Sequence, residues 1–403
     1  MRLHVLLAGA LLCGCGGHVE PDAAAGPDSG STLVAASDAA SDAEGSSETS
    51  DAPDDVGREV PAVPPFPPCE AYVVKEGATK IADGVRGVLA NGDILFSAGT
   101  YDPSTGLFAA AAPIHTLGSF AGLLPDGRVL LVGGSHGAMS SRGSDPEATR
   151  WDPETRALIK TSPMHHGRNW VSAAGLEDGR LLVLGGEEGG WDKYSYGPLA
   201  PPEIYDPVRD VWTDTASRTL VSRNYAALAR LPDGRILVIG GLSRPIASVP
   251  FTDPGAAPTN AVEIYDPATD SFRLTTPMHD PRRTPIATVA PDGSVLVFGG
   301  TRAERFDPAT ETWTVTAPAW LGGETLVAQF WSSAFMTTWL PCGGVLLASG
   351  AASKALWIYL PGKDRWIRRS YSGGNAAQVF PTDAGAIVVT SDVGGVHFTR
   401  FEP

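Results

Sequence analysis

Short apolar runs bounded by Gly, Pro, Asp and Ser recur along the chain from residue 68 to its end. They are too short for helices and too regular for loops, so they predict strands. The plainest copy spans Leu124 to Gly134: Leu-Pro-Asp-Gly-Arg, then Val129 to Val132, then two glycines. It returns at Leu231 to Gly241 and, with small changes, at Leu176 to Gly186 and Ala290 to Gly300. Weaker copies run from Ala90 to Gly99 and from Pro341 to Gly350, and a degraded one from Phe380 to Asp392. The Asp-Gly step is a hairpin turn, and the run after it is apolar enough to be buried on both faces. Paired glycines at its end permit close backbone approach.

A second motif follows each anchor: an aromatic residue, Asp-Pro, and a large residue seven positions after the first. It occurs at Tyr101 to Phe108, Trp151 to Leu158, Tyr205 to Trp212, Tyr265 to Phe272 and Phe306 to Trp313. Tyr359 to Trp366 keeps the aromatics without the Asp. Proline fixes φ in a turn, and Asp accepts its backbone N–H groups. Two hairpins per unit predict four strands, a to d. The last unit supplies strand a (Ala376 to Phe380), b (Ala386 to Thr390) and c (Val396 to Phe401) before the chain ends. Its missing strand d is expected from Ala71 to Lys75, a velcro closure that favours seven units, with six as the alternative.

The pair of glycines, a Tyr, and a Trp after six intervening residues resemble the kelch repeat over residues 68–403. The recurrence spacing suits propeller blades. The resemblance implies an all-β, kelch-type β-propeller of seven four-stranded blades. Copper radical oxidases such as galactose oxidase share this architecture. They need a Tyr joined to a Cys, a second Tyr and two His ligands. The propeller's cysteines are Cys69 and Cys342, and no Tyr-His pair occurs, so that activity and any cofactor are not expected.

Charge then divides the chain. Of the net −15, ten units fall between Gly16 and Pro67, where eleven carboxylates face Arg58 alone. This Ala/Asp/Ser/Pro-rich stretch (16–67) has almost no aromatics and predicts a disordered acidic tether, ~40 Å across on average. No basic patch exists, so nucleic acid is not an expected partner. Residues 1–15 read as an export signal: Arg2, an apolar core from Leu3 to Leu12, then Leu12-Cys13-Gly14-Cys15. That ending resembles a bacterial lipobox, which implies lipid on Cys15 and anchoring at the outer membrane or cell surface. The alternative is an ordinary signal peptide and a periplasmic or secreted protein. Cys69 and Cys342 are then left for an oxidising compartment. Whether they pair stays open, because strand d is outer and the a–b turn follows an inner strand.

Candidate chemistry lies on the face of the b–c loops and d–a connections. Long b–c loops, Ser135 to Thr149, Glu187 to Pro202 and Leu242 to Asn260, mark a binding face. Trp191, Tyr194 and Tyr196 beside Glu187, Glu188 and Asp192 suit a glycan or peptide, with Trp320, Phe330 and Trp331 as further candidates; packing against blade edges is the competing role. Arg168, Arg223 and Arg282 each sit ten residues before a turn Asp. They either converge on a carboxylate or phosphate at a channel mouth or bind carbonyls of a neighbouring blade, the role expected of a repeat-wide residue. His165, His166, His279 and His115 lie in the d–a connections, but convergence on a metal is not visible in sequence. The expectation is a monomeric, non-enzymatic binding module for a glycan or protein. A cofactor-independent enzyme acting on an acidic sugar, in the manner of sialic-acid mutarotases, is the second reading.

Overall fold

The computed structural model describes residues 68–71, 73–77, 85–96, 98–111, 120–133, 146–187, 200–243, 257–299, 302–318, 337–348, 355–371, 376–382, 385–392 and 395–403. Cys15, Trp191, Tyr194, Tyr196, Trp320 and Trp331 lie outside them, as does the tether. Among the described residues there is no α-helix. Cys69–Ala71 and Pro361–Lys363 form short 3-10 turns, and the regular structure is antiparallel β-sheet, an arrangement compatible with a β-propeller.

Each sequence unit forms its own four-stranded sheet, with strands paired in chain order. Unit one contains Val85–Val88, Ile94–Phe96, Gly99–Asp102 and Leu107–Ala110, and unit two Phe120–Leu123, Val129–Val132, Ala148–Asp152 and Ala157–Lys160. Unit three contains Asn169–Gly175, Leu181–Glu187, Glu203–Asp206 and Val211–Asp214. Unit four contains Ala227–Arg230, Ile236–Ile239, Val262–Asp266 and Ser271–Leu274. Unit five contains Ile286–Val289, Val295–Phe298, Arg302–Asp307 and Thr312–Pro318, and unit six Thr337–Trp339, Val345–Ala348, Ala355–Leu360 and Arg365–Ser370. Unit seven holds Ala376–Pro381, Ala386–Asp392 and Gly395–Glu402. Its fourth strand is Val73–Gly77, which pairs antiparallel with Gly395–Glu402, two residues further along than Ala71 to Lys75.

Burial follows strand position. Val129–Val132, Ile236–Ile239 and Val295–Phe298 are buried at every residue, as their apolar composition requires. The outer strand Ala157–Lys160 is exposed at every residue. Apolar clusters join successive sheets. Leu130 and Val132 of unit two meet Val183 and Tyr205 of unit three, and Leu182 and Leu184 meet Val238 and Tyr265 of unit four. Ile239 and Ile264 meet Val297 and Phe306 of unit five, and Leu296 and Phe298 meet Leu347 and Tyr359 of unit six. Leu346 and Ile358 meet Val388 and Phe401 of unit seven, Ile387 and Phe398 meet Ile94 and Phe96 of unit one, and Leu95 meets Leu131 and Trp151 of unit two. Each such side chain contributes about 1.5–3 kcal/mol by leaving water.

Cys69 and Cys342 form a disulfide with Cα atoms 5.3 Å apart. The a–b turn of unit six brings Cys342 beside buried Cys69, which packs with Leu340, Leu346 and Ile358 just ahead of Val73–Gly77. In unit four, Tyr225 at φ 59° breaks the expected inner strand, leaving Arg223–Asn224 to pair with Leu242–Ser243.

Candidate functional site

The three repeat-register arginines lie inside the protein. Arg168, Arg223 and Arg282 are 0%, 1% and 1% exposed, so none presents its guanidinium to solvent. Each is paired with a fully buried glutamate of its own unit: Arg168 with Glu203, Arg223 with Glu263 at 3.2 Å, and Arg282 with Glu304 at 2.8 Å. Burying an ion pair is best offset when the remaining donors and acceptors are also used. That is met only in part here: Nε and Nη1 of Arg282 and Oε2 of Glu263 have no hydrogen-bond partner among the described residues. Arg168 donates to the carbonyls of Gly185 (3.2 Å) and Pro201 (2.7 Å). Arg223 donates to those of Gly240 (3.2 Å) and Ala261 (2.7 Å), and Arg282 to that of Arg302 (2.7 Å). The carbonyls belong to the arginine's own unit, not to the neighbouring one. An acidic sugar therefore meets none of these guanidinium groups at the surface.

The glutamates work in the other direction. The N–H groups of His165 and His166 donate to Glu203, at 2.8 and 3.3 Å. The N–H of Val221 donates to Glu263 (2.6 Å), and those of His279 and Asp280 to Glu304 (2.8 and 3.1 Å). Each Arg–Glu pair thus binds the d–a connection to the b–c end of its sheet. Burial alone would raise the Glu304 pKa, but the His279 N–H, Arg282 and the His279 ring outweigh it and hold the carboxyl below its usual range. Glu263 has a thinner set of donors, and burial pushes it up.

The carbonyls chosen have a functional consequence. Gly185 and Pro201 stand on either side of residues 188–199, and Gly240 and Ala261 on either side of residues 244–256. Arg168 and Arg223 therefore pin both roots of the two longest b–c segments onto the ordered sheet. The glutamates escaped recognition in the sequence, although the signal was present. Glu203, Glu263 and Glu304 each stand two residues before the motif aromatic, in the same three units that carry the arginines.

A second cluster lies at the same end of unit three. Nδ1 of His165 is 2.8 Å from Oδ1 of Asp214 and 3.9 Å from Oε2 of Glu203. Nε2 of His166 is 3.5 Å from Oδ2 of Asp214. Strand pairing explains the convergence, because Asp214 is the register partner of Glu203. Burial would raise the Asp214 pKa, but the two imidazoles outweigh it and the carboxyl is held below its usual range. His165, Glu203 and Asp214 could hold a metal ion.

The c–d turns carry another repeated device. Arg156, Asp210, Asp270, Glu311 and Asp364 all adopt left-handed φ, five residues after the motif aromatic. Where that aromatic is Tyr205, Tyr265 or Tyr359 and the turn residue is Asp, the hydroxyl donates to the carboxylate at 2.7 Å. Burial and then this bond raise each of these tyrosine pKa values. The same carboxylates accept N–H groups from the preceding connection, Ser162 to Asp210 (3.1 Å) and Ala216 to Asp270 (2.7 Å).

No protein-family model matches this sequence, and no curated protein matches it.

Proposed function

We propose that the chain is an exported, lipid-anchored binding module. Its seven units close into a kelch-like propeller, and its b–c loops present a binding face to a glycan or protein ligand. The observation that carries this reading is the pinning of loop roots by Arg168 and Arg223. A buried ion pair is a costly way to gain stability. Placing one at the base of each of the two longest b–c loops favours a role in setting where those loops leave the sheet. The a–b turns on the opposite face are short, closing from Leu124 to Gly127 and from Leu231 to Gly234. Elaboration is thus confined to one side, the usual arrangement of a repeat protein's binding face. Trp191, Tyr194 and Tyr196, carried by the segment that Arg168 pins, supply aromatic faces for sugar rings or apolar side chains. Cys15 would take the lipid, and residues 16–67 would hold the module away from the membrane.

The test is a glycan array probed with the full chain and with Trp191→Ala. A sugar class retained by the parent and lost by the variant supports the reading. If no sugar binds, affinity capture from envelope extracts, again with and without Trp191→Ala, decides between a protein ligand and no ligand at this face.

A further inference from the structure

The unit-three cluster departs from the repeat in a way that the Arg–Glu pairs do not. Unit five supplies the comparison. His279 stands at the equivalent place in its own d–a connection, and its Nδ1 lies 2.9 Å from Oε2 of Glu304. There the residue opposite the glutamate is Val315, and the residue after the histidine is Asp280, which is paired with Arg302 at 3.0 Å. In unit four the residue opposite Glu263 is Leu274. The repeat itself therefore asks only for the buried glutamate and the backbone it holds. Asp214 and His166 are additions to that plan. They add a second carboxylate beside His165 and a second imidazole beside Asp214, where the pairing and burial of Arg168 do not need them.

From this we infer that His165, Asp214 and Glu203, with His166 beside Asp214, form a divalent transition-metal site of the zinc, nickel or copper class. Mixed imidazole and carboxylate ligands suit these ions better than calcium or magnesium, which favour all-oxygen sites. Ligand atoms at ~2.0–2.2 Å from a tetrahedral zinc stand about 3.3 Å apart. The separations of 2.8 and 3.9 Å from Nδ1 of His165 to Asp214 and Glu203 bracket that value. Arg168 and the His165 N–H hold the Glu203 carboxylate in place, and each carboxylate oxygen has two lone pairs, so Oε2 can accept the N–H and still ligate. His165 and Asp214 are about half exposed, which gives an ion access and leaves room for a water ligand.

The experiment is isothermal titration of the chelator-treated full chain, carrying no histidine tag, with zinc chloride. One saturable site per chain of micromolar affinity or tighter is expected. Asp214→Asn and His165→Asn should each weaken it by at least about tenfold, while His279→Asn leaves it unchanged. A chain without saturable uptake below about 1 mM, or variants that bind as the parent does, would overturn the proposal. Histidine acylation by diethyl pyrocarbonate, read by peptide mapping, tests the unaltered chain. Zinc should protect the peptide of His165 and His166 and leave His279 reactive. Equal reactivity with and without zinc would also overturn it.

Discussion

A Cβ atom on Gly240 would stand 3.0 Å from the carbonyl oxygen of Arg282, the buried arginine that opens the next unit. Gly185 has the same relation to Arg223 at 3.1 Å. The closing glycines of one unit thus form the surface on which the clamp of the next unit rests. Gly240 also has φ +56°, a conformation that costs a non-glycine residue about 1–2 kcal/mol. Gly240→Ala combines that strain with crowding, and should lower the unfolding free energy by about 2–4 kcal/mol. Gly92→Ala, also at positive φ but with nothing within 4 Å of its Cβ, should cost only the conformational share. Urea unfolding of the two variants separates the terms.

Breaking the clamp should cost more than removing it. Arg282→Met leaves Glu304 buried without its guanidinium, and a loss of about 3–5 kcal/mol is expected. Adding Glu304→Gln removes the stranded charge and keeps one acceptor oxygen for the N–H of His279 or of Asp280. The double variant should recover part of the loss. Equal stabilities of the single and double variants in chemical denaturation would contradict this.

The left-handed position of the c–d turn gives opposite signs at two sites. Arg156 at φ 56° has an exposed side chain, so Arg156→Gly should stabilise by about 1 kcal/mol. Asp210 at φ 55° accepts from Tyr205 and from the Ser162 N–H. Asp210→Gly loses those bonds and should destabilise by about 1–2 kcal/mol despite the relieved backbone. Thermal melts of both variants provide the comparison.

Glu311 links units four and five. Arg273, Thr275 and Arg235 all donate to its carboxylate, and these bonds, led by Arg273, lower its pKa to about 2 against 4.5 for an unperturbed glutamate. A carboxyl whose folded pKa is depressed stabilises the fold fully above the unfolded value, and loses that contribution as the pH falls towards the folded one. The stability difference between the parent and Glu311→Gln should therefore be constant above about pH 5 and shrink between about 4.5 and about 2. Unfolding free energies measured across that range check it; a difference that does not change with pH would be inconsistent with these contacts.

The repeat was legible because each unit restates its own turn chemistry. Asp126-Gly127 and Asp233-Gly234 locate the a–b turns, and Tyr205 to Trp212 and Tyr265 to Phe272 locate the c–d hairpins. The arginines were legible as a register, but not as buried groups, because their partners come from another strand. Glu203 lies 35 residues from Arg168, and only strand pairing brings the two together. The Tyr–Asp pairs were in plain view at a fixed spacing, yet nothing local distinguishes the turn Asp from its neighbours. Asp214 was the least legible. It ends an outer strand, and its place beside His165 follows from its register with Glu203. The disulfide was undecided for a related reason, since sequence order says little about how far the residues before Val73 reach across unit six.

The binding face exists as proposed only if the seven units close into one ring, and closure rests on Val73–Gly77 pairing with Gly395–Glu402. Amide hydrogen exchange of the full, oxidised chain measures that pairing directly. The account predicts that amides in Val73–Gly77 exchange as slowly as those of Gly395–Glu402, and far more slowly than amides of residues 16–67. Exchange of Val73–Gly77 at the rate of that acidic segment would contradict closure, and with it the proposed ring.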